Sequence, residues 1–273
     1  MSYPLKVGGG VLPEYRRDQY KDEVHEFLVA ISDEAPVSGE KVSGNGWFAS
    51  IAIIGAIDLT TGHREKGRTI MIWDPTPEEQ QKEANKTLFR EYGIYRVKAH
   101  PPAKFWYSTP SVRMGGMYLT EITRGHVTHP FLAEAVSEYK ESLHLHSELL
   151  GTLDLDEDGY TGSFNWLGAD TKIIVSVEYT PYTKPLGHLE DFCRDCEKND
   201  RELRRFACDN MPDRINKERE KPLTPEEFAR GLVMDRIDMY YDGDYDVYFR
   251  FEKYTVNISG DRDGPRDIWW EVE

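Results

Sequence analysis

The chain has 273 residues, a hydrophobic fraction of 39% and a formal net charge of −15, which is typical of a globular protein and excludes wholesale disorder. Residues 1–147 carry 17 Lys and Arg against 19 Asp and Glu, a net charge of −2, whereas residues 148–273 carry 17 against 30, a net charge of −13. Because so negative a surface repels phosphate backbones, nucleic-acid binding by the second half is disfavoured, and a basic protein partner or a cation is favoured.

The sequence predicts a cytoplasmic protein that does not bind membranes. The first 20 residues lack the apolar core of a signal peptide, and the longest apolar run, Trp47 to Ile57, is too short to span a bilayer. Three cysteines in a chain of this length fit a reducing compartment and offer no disulfide framework.

The first half is predicted to be a β-rich domain. Residues 1–20, which include Gly8-Gly9-Gly10, are expected to form a flexible N-terminal segment, and residues 21–146 the domain itself. Its expected strands are His25 to Ile31, Trp47 to Leu59, Arg68 to Trp73, Ile94 to Ala99 and Met117 to Ile122. One helix is expected from the acidic turn after Asp74 to about Arg90, and another, from Pro130 to about Ser142, closes the domain. This order fits a small antiparallel β-barrel of the OB type, although other folds share it.

The second half, residues 147–273, is predicted to be an α+β domain. A meander of three strands precedes a long helix from about Leu186 to Asn210. Thr224 followed by Pro225 is typical of the start of a helix. This helix is followed by two strands in which apolar and polar residues alternate strictly, and Asp242-Gly243-Asp244 forms the turn between them. Two more strands close the chain. The pattern predicts an antiparallel sheet covered by helices on one face.

Four segments carry a family resemblance. They are LGTLDLD from Leu150, YTGSFNW from Tyr160, PLTPEEFARGLVMDRIDMYYDGDYDVYF from Pro222 and VNISGDRDG from Val256. In this order they resemble the bacterial family known as domain of unknown function 2262, over about the last 125 residues. The first 145 residues resemble the uncharacterised N-terminal domain found in longer members. The resemblance implies a bacterial, intracellular α+β domain, and it implies no activity, cofactor or catalytic residue.

An acidic and aromatic strand face is the strongest candidate site. Its predicted members alternate along the last strands and their turn: Asp238, Tyr240, Asp242, Asp244, Asp246, Tyr248 and Trp269. Tyrosine and tryptophan interleaved with carboxylates suit recognition of a basic protein, because the rings bury area while the acids steer the encounter. We therefore predict a non-enzymatic binding module, with an immunity or antitoxin-like role as one specific form. The competing interpretation is a solvated sheet face without a partner.

Two other functions stay open from the sequence. Four histidines near the domain junction, His126, His129, His144 and His146, would suit an enzyme with a histidine and carboxylate site there. An OB-type barrel could instead bind a small ligand or an oligonucleotide by stacking bases on the aromatic run Phe105 to Tyr107.

No cofactor or metal is predicted. Cys193 and Cys196 lie on the apolar stripe of a helix and are expected to be core residues, because no second CxxC or CxxH pair accompanies them. The run Asp154 to Gly159 matches the first half of a calcium loop, but Asn165 stands where the bidentate Glu is needed, so a hairpin turn is expected. Gly8-Gly9-Gly10 is not a phosphate loop, since no strand-to-helix turn with a lysine follows.

Overall fold

The computed structural model describes residues 3–40, 47–81, 87–103, 106–109, 112–114, 116–177, 182–211, 213–216 and 220–272. The chain divides into two compact units, Met1–Glu141 and Ser142–Glu273, each with its own sheet and core. The predicted α+β class, with a barrel-like first domain and a sheet packed by helices in the second, is confirmed.

The N-terminal unit is a β-barrel. Its elements are β1 (Leu5–Lys6), β2 (His25–Ile31), β3 (Val37–Glu40), β4 (Trp47–Asp58), β5 (Arg64–Trp73), α1 (Pro77–Gln81), β6 (Ile94–His100), β7 (Trp106–Thr109), β8 (Val112–Met114), β9 (Met117–Arg124) and α2 (Pro130–Ser142). Strands β2, β4, β5, β9 and β6 pair in that order, and β6 pairs again with β2 to close the barrel. The β5–β9 pair is parallel and the other four are antiparallel, which is the connectivity of an OB-type barrel.

The barrel is filled from within and covered from outside. Alternate residues of the strands, among them Val29, Ile53 and Leu119, are buried in its interior. Outside, Leu132 of α2 packs against β4, where a Cβ on Gly55 would come within 3.1 Å of the Leu132 side chain. Gly55 therefore lies within strand β4, at a point where the helix packs closely against the strand.

The N-terminal segment differs from the predicted flexible lead-in. Strand β1 pairs with β9, Val7 and Leu12 are buried, and Arg16 forms an ion pair of 2.9 Å with Asp74. The three consecutive glycines all have positive φ, so they let the chain turn tightly enough to bring these apolar side chains onto the barrel.

Over its described residues, the C-terminal unit is an eight-stranded sheet with three α-helices. Its elements are β10 (His144–Ser147), β11 (Gly151–Leu155), β12 (Tyr160–Trp166), β13 (Ala169–Val175), α3 (Thr183–Arg194), α4 (Cys196–Asp209), α5 (Pro225–Gly231), β14 (Val233–Met239), β15 (Tyr245–Phe251), β16 (Tyr254–Asp261) and β17 (Gly264–Val272). The strands lie in chain order from β10 to β17. Every pair is antiparallel except β13–β14, because the three helices form the crossover between those two strands. Residues 144–146, assigned to the first domain from the sequence, lie in β10 and belong to this sheet.

The helices start and end for identifiable reasons. Thr224 accepts a hydrogen bond from the Glu227 backbone and Glu227 accepts one from Thr224, so the predicted N-cap is a complete capping box. The predicted long helix is two helices, since Asp195 leaves helical geometry at φ −93° and ψ 26° between α3 and α4. Phe192 of α3 packs against Tyr245 and Phe228 of α5 packs edge-on against Phe251, which fixes these helices on one face of the sheet.

Candidate functional site

Strands β14 to β17 present one face to the helices and the other away from them. The helix-side residues of these strands are apolar and buried, among them Ile237, Val247, Phe249, Val256 and Ile258. The face that points away from the helices, hereafter the open face, consists of Arg236, Asp238, Asp246, Tyr248, Asn257, Ser259, Asp267 and Trp269. Side chains directly opposite each other on neighbouring strands point to the same side, so the strand register fixes this set.

The open face contains two adjacent rows of side chains. The first, the acidic row, runs across the four strands as Asp238, Asp246, Ser259 and Asp267. The second, the aromatic row, lies two residues along and runs as Arg236, Tyr248, Asn257 and Trp269. Five predicted site residues meet here or beside it, because Tyr240 directly follows β14 and donates a 2.9 Å hydrogen bond to Asp246 Oδ2.

Asp238 is neutralised within the protein. Arg236 donates to both of its carboxylate oxygens, from Nε and Nη2 at 2.6 Å each, and the same guanidinium lies 5.1 Å from the centre of the Tyr248 ring. Asp238 is only 6% exposed. Such a buried, bidentate pair orients its neighbours and offers no charge to a partner.

Asp246 is the half-buried carboxylate of the open face and, like the exposed Asp267, has no ion pair among the described residues. Burial raises its pKa above the ordinary value, and the nearby charges of Asp238 and Asp244 raise it further, against the Tyr240 hydrogen bond and the charge of Arg236. A cation that binds beside a half-buried aspartate favours the charged form of its carboxyl.

A pocket of about 500 Å³ opens at the end of the acidic row. It is lined by the turn between β14 and β15, including Tyr240, Tyr241, Asp242 and Asp244, and by Asp246, Ser259 and Arg266 from the strands. Asp242 and Asp244 are exposed, and Gly243 between them has φ 95°, the positive angle expected of the predicted tight turn. Arg266 is ion-paired with Asp261, so the pocket as a whole keeps an excess of carboxylates.

Asn257 is the unusual residue of the aromatic row. It is 2% exposed, and neither its Oδ1 nor its Nδ2 has a hydrogen bond of normal geometry in the structure. The Tyr248 hydroxyl does interact with it, which slightly lowers a Tyr248 pKa that burial and nearby carboxylates raise. A buried amide without full hydrogen bonding is uncommon and needs an explanation.

Family models match both halves of the chain. Residues 147–264 match the model described as an uncharacterized protein conserved in bacteria, DUF2262, and residues 16–139 match a domain of unknown function, DUF7021. The C-terminal half is a DUF2262 domain. The open face and its pocket lie in this domain, and all but the residues from Pro265 onward fall within the matched range. No curated protein and no solved structure gave a significant match. None of the helices in the described ranges combines the length and apolarity of a membrane span.

The histidines do not meet in one cluster within a single unit. His144 and His146 lie on β10 of the DUF2262 domain, and His144 Nδ1 is 2.7 Å from Asp154 Oδ1. His126 and His129 belong to the N-terminal unit. Over the described part of the chain, no group of three or more His, Cys, Asp or Glu is arranged to hold a metal ion. An enzyme using all four histidines stays a prediction.

The remaining candidates have structural roles or lie outside the described residues. Cys193 of the DUF2262 domain is buried in the core, and burial raises the pKa of its thiol to about 12, so it is not a reactive thiolate. Asp156 accepts from two backbone N–H groups of the β11–β12 turn, as expected of a hairpin. In the aromatic run of the first domain, Phe105 lies outside the described residues, and so do the side chains of Trp106 and Tyr107.

Several residues of the site were not predicted from the sequence, among them Arg236, Asn257 and Arg266. Arg236 could have been predicted, because residues two apart in a strand share a face and Arg236 lies two residues before the predicted site residue Asp238. Asn257 and Arg266 could not, since a lone polar residue in a strand is ordinary.

Proposed function

We propose that the DUF2262 domain is a non-enzymatic binding module that engages a basic protein through the open face and its pocket. The observation that carries this proposal is the pocket of about 500 Å³, in which Asp242, Asp244 and Asp246 surround a space large enough for a cationic side chain. The charge of −13 on residues 148–273 would steer such a partner towards the domain.

Aromatic residues beside the carboxylates favour a protein over a simple cation. Tyr240 and Tyr241 line the pocket and Trp269 is 39% exposed on the open face. Tyrosine and tryptophan are enriched where proteins bind one another, because their rings bury a large area at a small entropic cost. One specific form of the proposal is an immunity or antitoxin-like protein, since neutralising a basic toxic nuclease requires an acidic surface.

The test is affinity capture with a matched charge control. The tagged full chain is exposed to a lysate of its host at low salt, and proteins eluted by rising salt are identified by mass spectrometry. We compare the wild type with Asp242→Asn/Asp244→Asn/Asp246→Asn, and with Glu148→Gln/Glu197→Gln/Asp209→Asn, which removes three exposed carboxylates elsewhere in the unit.

The proposal expects one basic protein, released in a narrow salt step, to be retained by the wild type and by the control. Capture by the pocket variant should fall at least about tenfold, as expected when three steering and contacting charges are lost. Equal capture by the pocket variant would contradict the proposal.

The closed barrel supports a second candidate function, in the N-terminal unit. Small barrels of this connectivity present the outer face of their second and third strands, here β4 and β5, to oligonucleotides or small ligands. The near-neutral charge of residues 1–147 gives weak attraction for phosphates. Fluorescence titration of the full chain with single-stranded oligomers tests this candidate, and a flat titration would remove it.

A further inference from the structure

We propose that an extended basic segment of the partner adds to the DUF2262 domain as a ninth strand, paired along the outer edge of β17. This inference rests on the proposed function and names how the partner is held. Strand β17 lies at the end of the sheet and, among the described residues, pairs with β16 alone over the nine residues Gly264–Val272. The strand at the opposite end, β10, has only four residues. A long unpaired edge is a template for a further strand, and a very short edge strand is not.

The backbone of β17 offers hydrogen bonds along this outer edge. The Ile268 N–H donates to the Asp267 side chain at 2.8 Å, so it points away from β16. Backbone groups of an antiparallel strand alternate between its two edges, and those of Trp270 and Val272 therefore point outward with Ile268. These are the donors and acceptors that an added strand uses.

The side chains of β17 form a charged set and an apolar set. The side that belongs to the open face carries three exposed residues, Asp267, Trp269 and Glu271. On the helix side, Ile268 and Trp270 are half-buried against the core, and Val272 is 51% exposed. The core is therefore incompletely covered at this edge, and a further strand would bury the apolar area that is left.

This pattern specifies the chemistry of the added strand. Residues directly opposite each other on neighbouring strands interact on one face, and pairs of opposite charge are favourable there. Lysine or arginine therefore suits the positions opposite Asp267 and Glu271, while apolar residues suit those opposite Ile268 and Trp270. The partner segment is expected to alternate basic and apolar residues.

The same charges favour a basic partner over a second copy of this chain. A second β17 would bring its own Asp267 and Glu271 to this edge, and neither copy has a basic residue on that side of the strand. Like charges on adjacent strands destabilise the pair. The pocket lies beside the same strand, because Arg266 of β17 is one of its lining residues, so one basic segment can reach both.

The first experiment titrates the full chain with a short acetylated and amidated peptide that alternates lysine and valine. One control peptide has the same composition with all lysines before all valines, and another has glutamate in place of lysine. Nuclear magnetic resonance follows binding and the hydrogen exchange of the Ile268, Trp270 and Val272 amides. The inference expects the alternating peptide to slow exchange at these amides at least about tenfold, and both controls to bind at least about tenfold more weakly. Equal binding of either control, or unchanged exchange at these amides, would overturn it.

The second experiment compares Ile268→Pro with Ile268→Ala. Both variants lose the contacts of the Ile268 side chain with the core, but only proline also removes the outward N–H. Proline is tolerated on an edge strand where the N–H faces away from the sheet, so the two variants should have similar Tm. Binding of the alternating peptide should be at least about tenfold weaker to Ile268→Pro than to Ile268→Ala. Equal binding, or a much lower Tm for Ile268→Pro, would overturn the inference, since the lower Tm would show that this N–H is bonded within the sheet.

Analytical ultracentrifugation of the full chain tests the alternative occupant. The inference expects the wild type and Ile268→Pro to have the same oligomeric state. A dimer that Ile268→Pro abolishes and Ile268→Ala retains would show that a second copy occupies the edge of β17, and it would overturn the inference.

The two proposals fail separately. Partner capture that the pocket variant loses and Ile268→Pro retains would leave the proposed function standing and remove this inference. Addition of the alternating peptide along β17, with partner capture unaffected by the pocket variant, would do the reverse.

Discussion

At the scale of single residues, Asp246 links the acidic row to the pocket. It accepts from Tyr240, has no ion pair among the described residues, and lines the pocket. Its carboxyl is half-buried near Asp238 and Asp244, and burial first, then these charges, raise its pKa. This position makes the charge of the site depend on the protonation of Asp246.

Lowering the pH through the raised pKa of Asp246 should therefore weaken partner binding and, through this group, stabilise the folded domain. Between the ordinary pKa of Asp and the raised one, the folded state binds more protons than the unfolded state, so the contribution of Asp246 to the free energy of unfolding is lost as pH rises. Binding follows the opposite trend because the neutral acid attracts no cation. Calorimetric titration and denaturant unfolding across this range measure both.

Asp246→Asn should flatten both trends, and Asp267→Asn, an exposed neighbour in the same row, is the control. Stability and binding that change with pH alike in the wild type and in Asp246→Asn would contradict this assignment.

At the scale of elements, a buried polar cluster holds α4 against the sheet. Asp200 of α4 accepts from Trp166 Nε1 at 3.1 Å and from Arg204 Nε at 2.7 Å. Arg204 in turn donates to the backbone carbonyls of Ala229 and Leu232 at 2.6 and 3.0 Å. The cluster joins α4, β12 and the segment that leads into β14, so it keeps the strands under the open face in register with the helices.

Asp200→Ala should lower the free energy of unfolding by about 3 kcal/mol, because it leaves the Arg204 charge and the Trp166 N–H without their partner. Denaturant unfolding measures the loss. Asp191→Ala, which removes an exposed carboxylate paired with Arg194 on α3, is the matched control and should cost below about 1 kcal/mol. Equal losses in the two variants would contradict the role given to the cluster.

The local pattern of the sequence predicted many of these elements. Strict alternation located β14 and β15, and the capping signals located the start of α5. The break between α3 and α4 was not predictable, because the apolar stripe continues through Asp195 and tertiary packing decides where the helix turns. The parallel β13–β14 pair depends on a crossover whose path no local signal encodes.

At the scale of the whole molecule, the two units differ in charge and in architecture. The barrel-like fold of the first unit could be predicted from the order of its strands. The packing of the N-terminal segment onto the barrel could not, because its glycines are typical of a linker. Composition alone showed that the excess of Asp and Glu lies in the DUF2262 domain. Only the strand register showed that Asp238 is paired internally and that Asn257 lies between two aromatic residues.

The most direct test of partner binding by the open face and pocket is amide hydrogen exchange of the full chain with and without its captured partner. We expect the partner to slow exchange in the turn between β14 and β15 and along β15, β16 and β17, where the open face and pocket lie. Protection confined to the barrel of the N-terminal unit, with β15 to β17 unchanged, would contradict the assignment of partner binding to the DUF2262 domain.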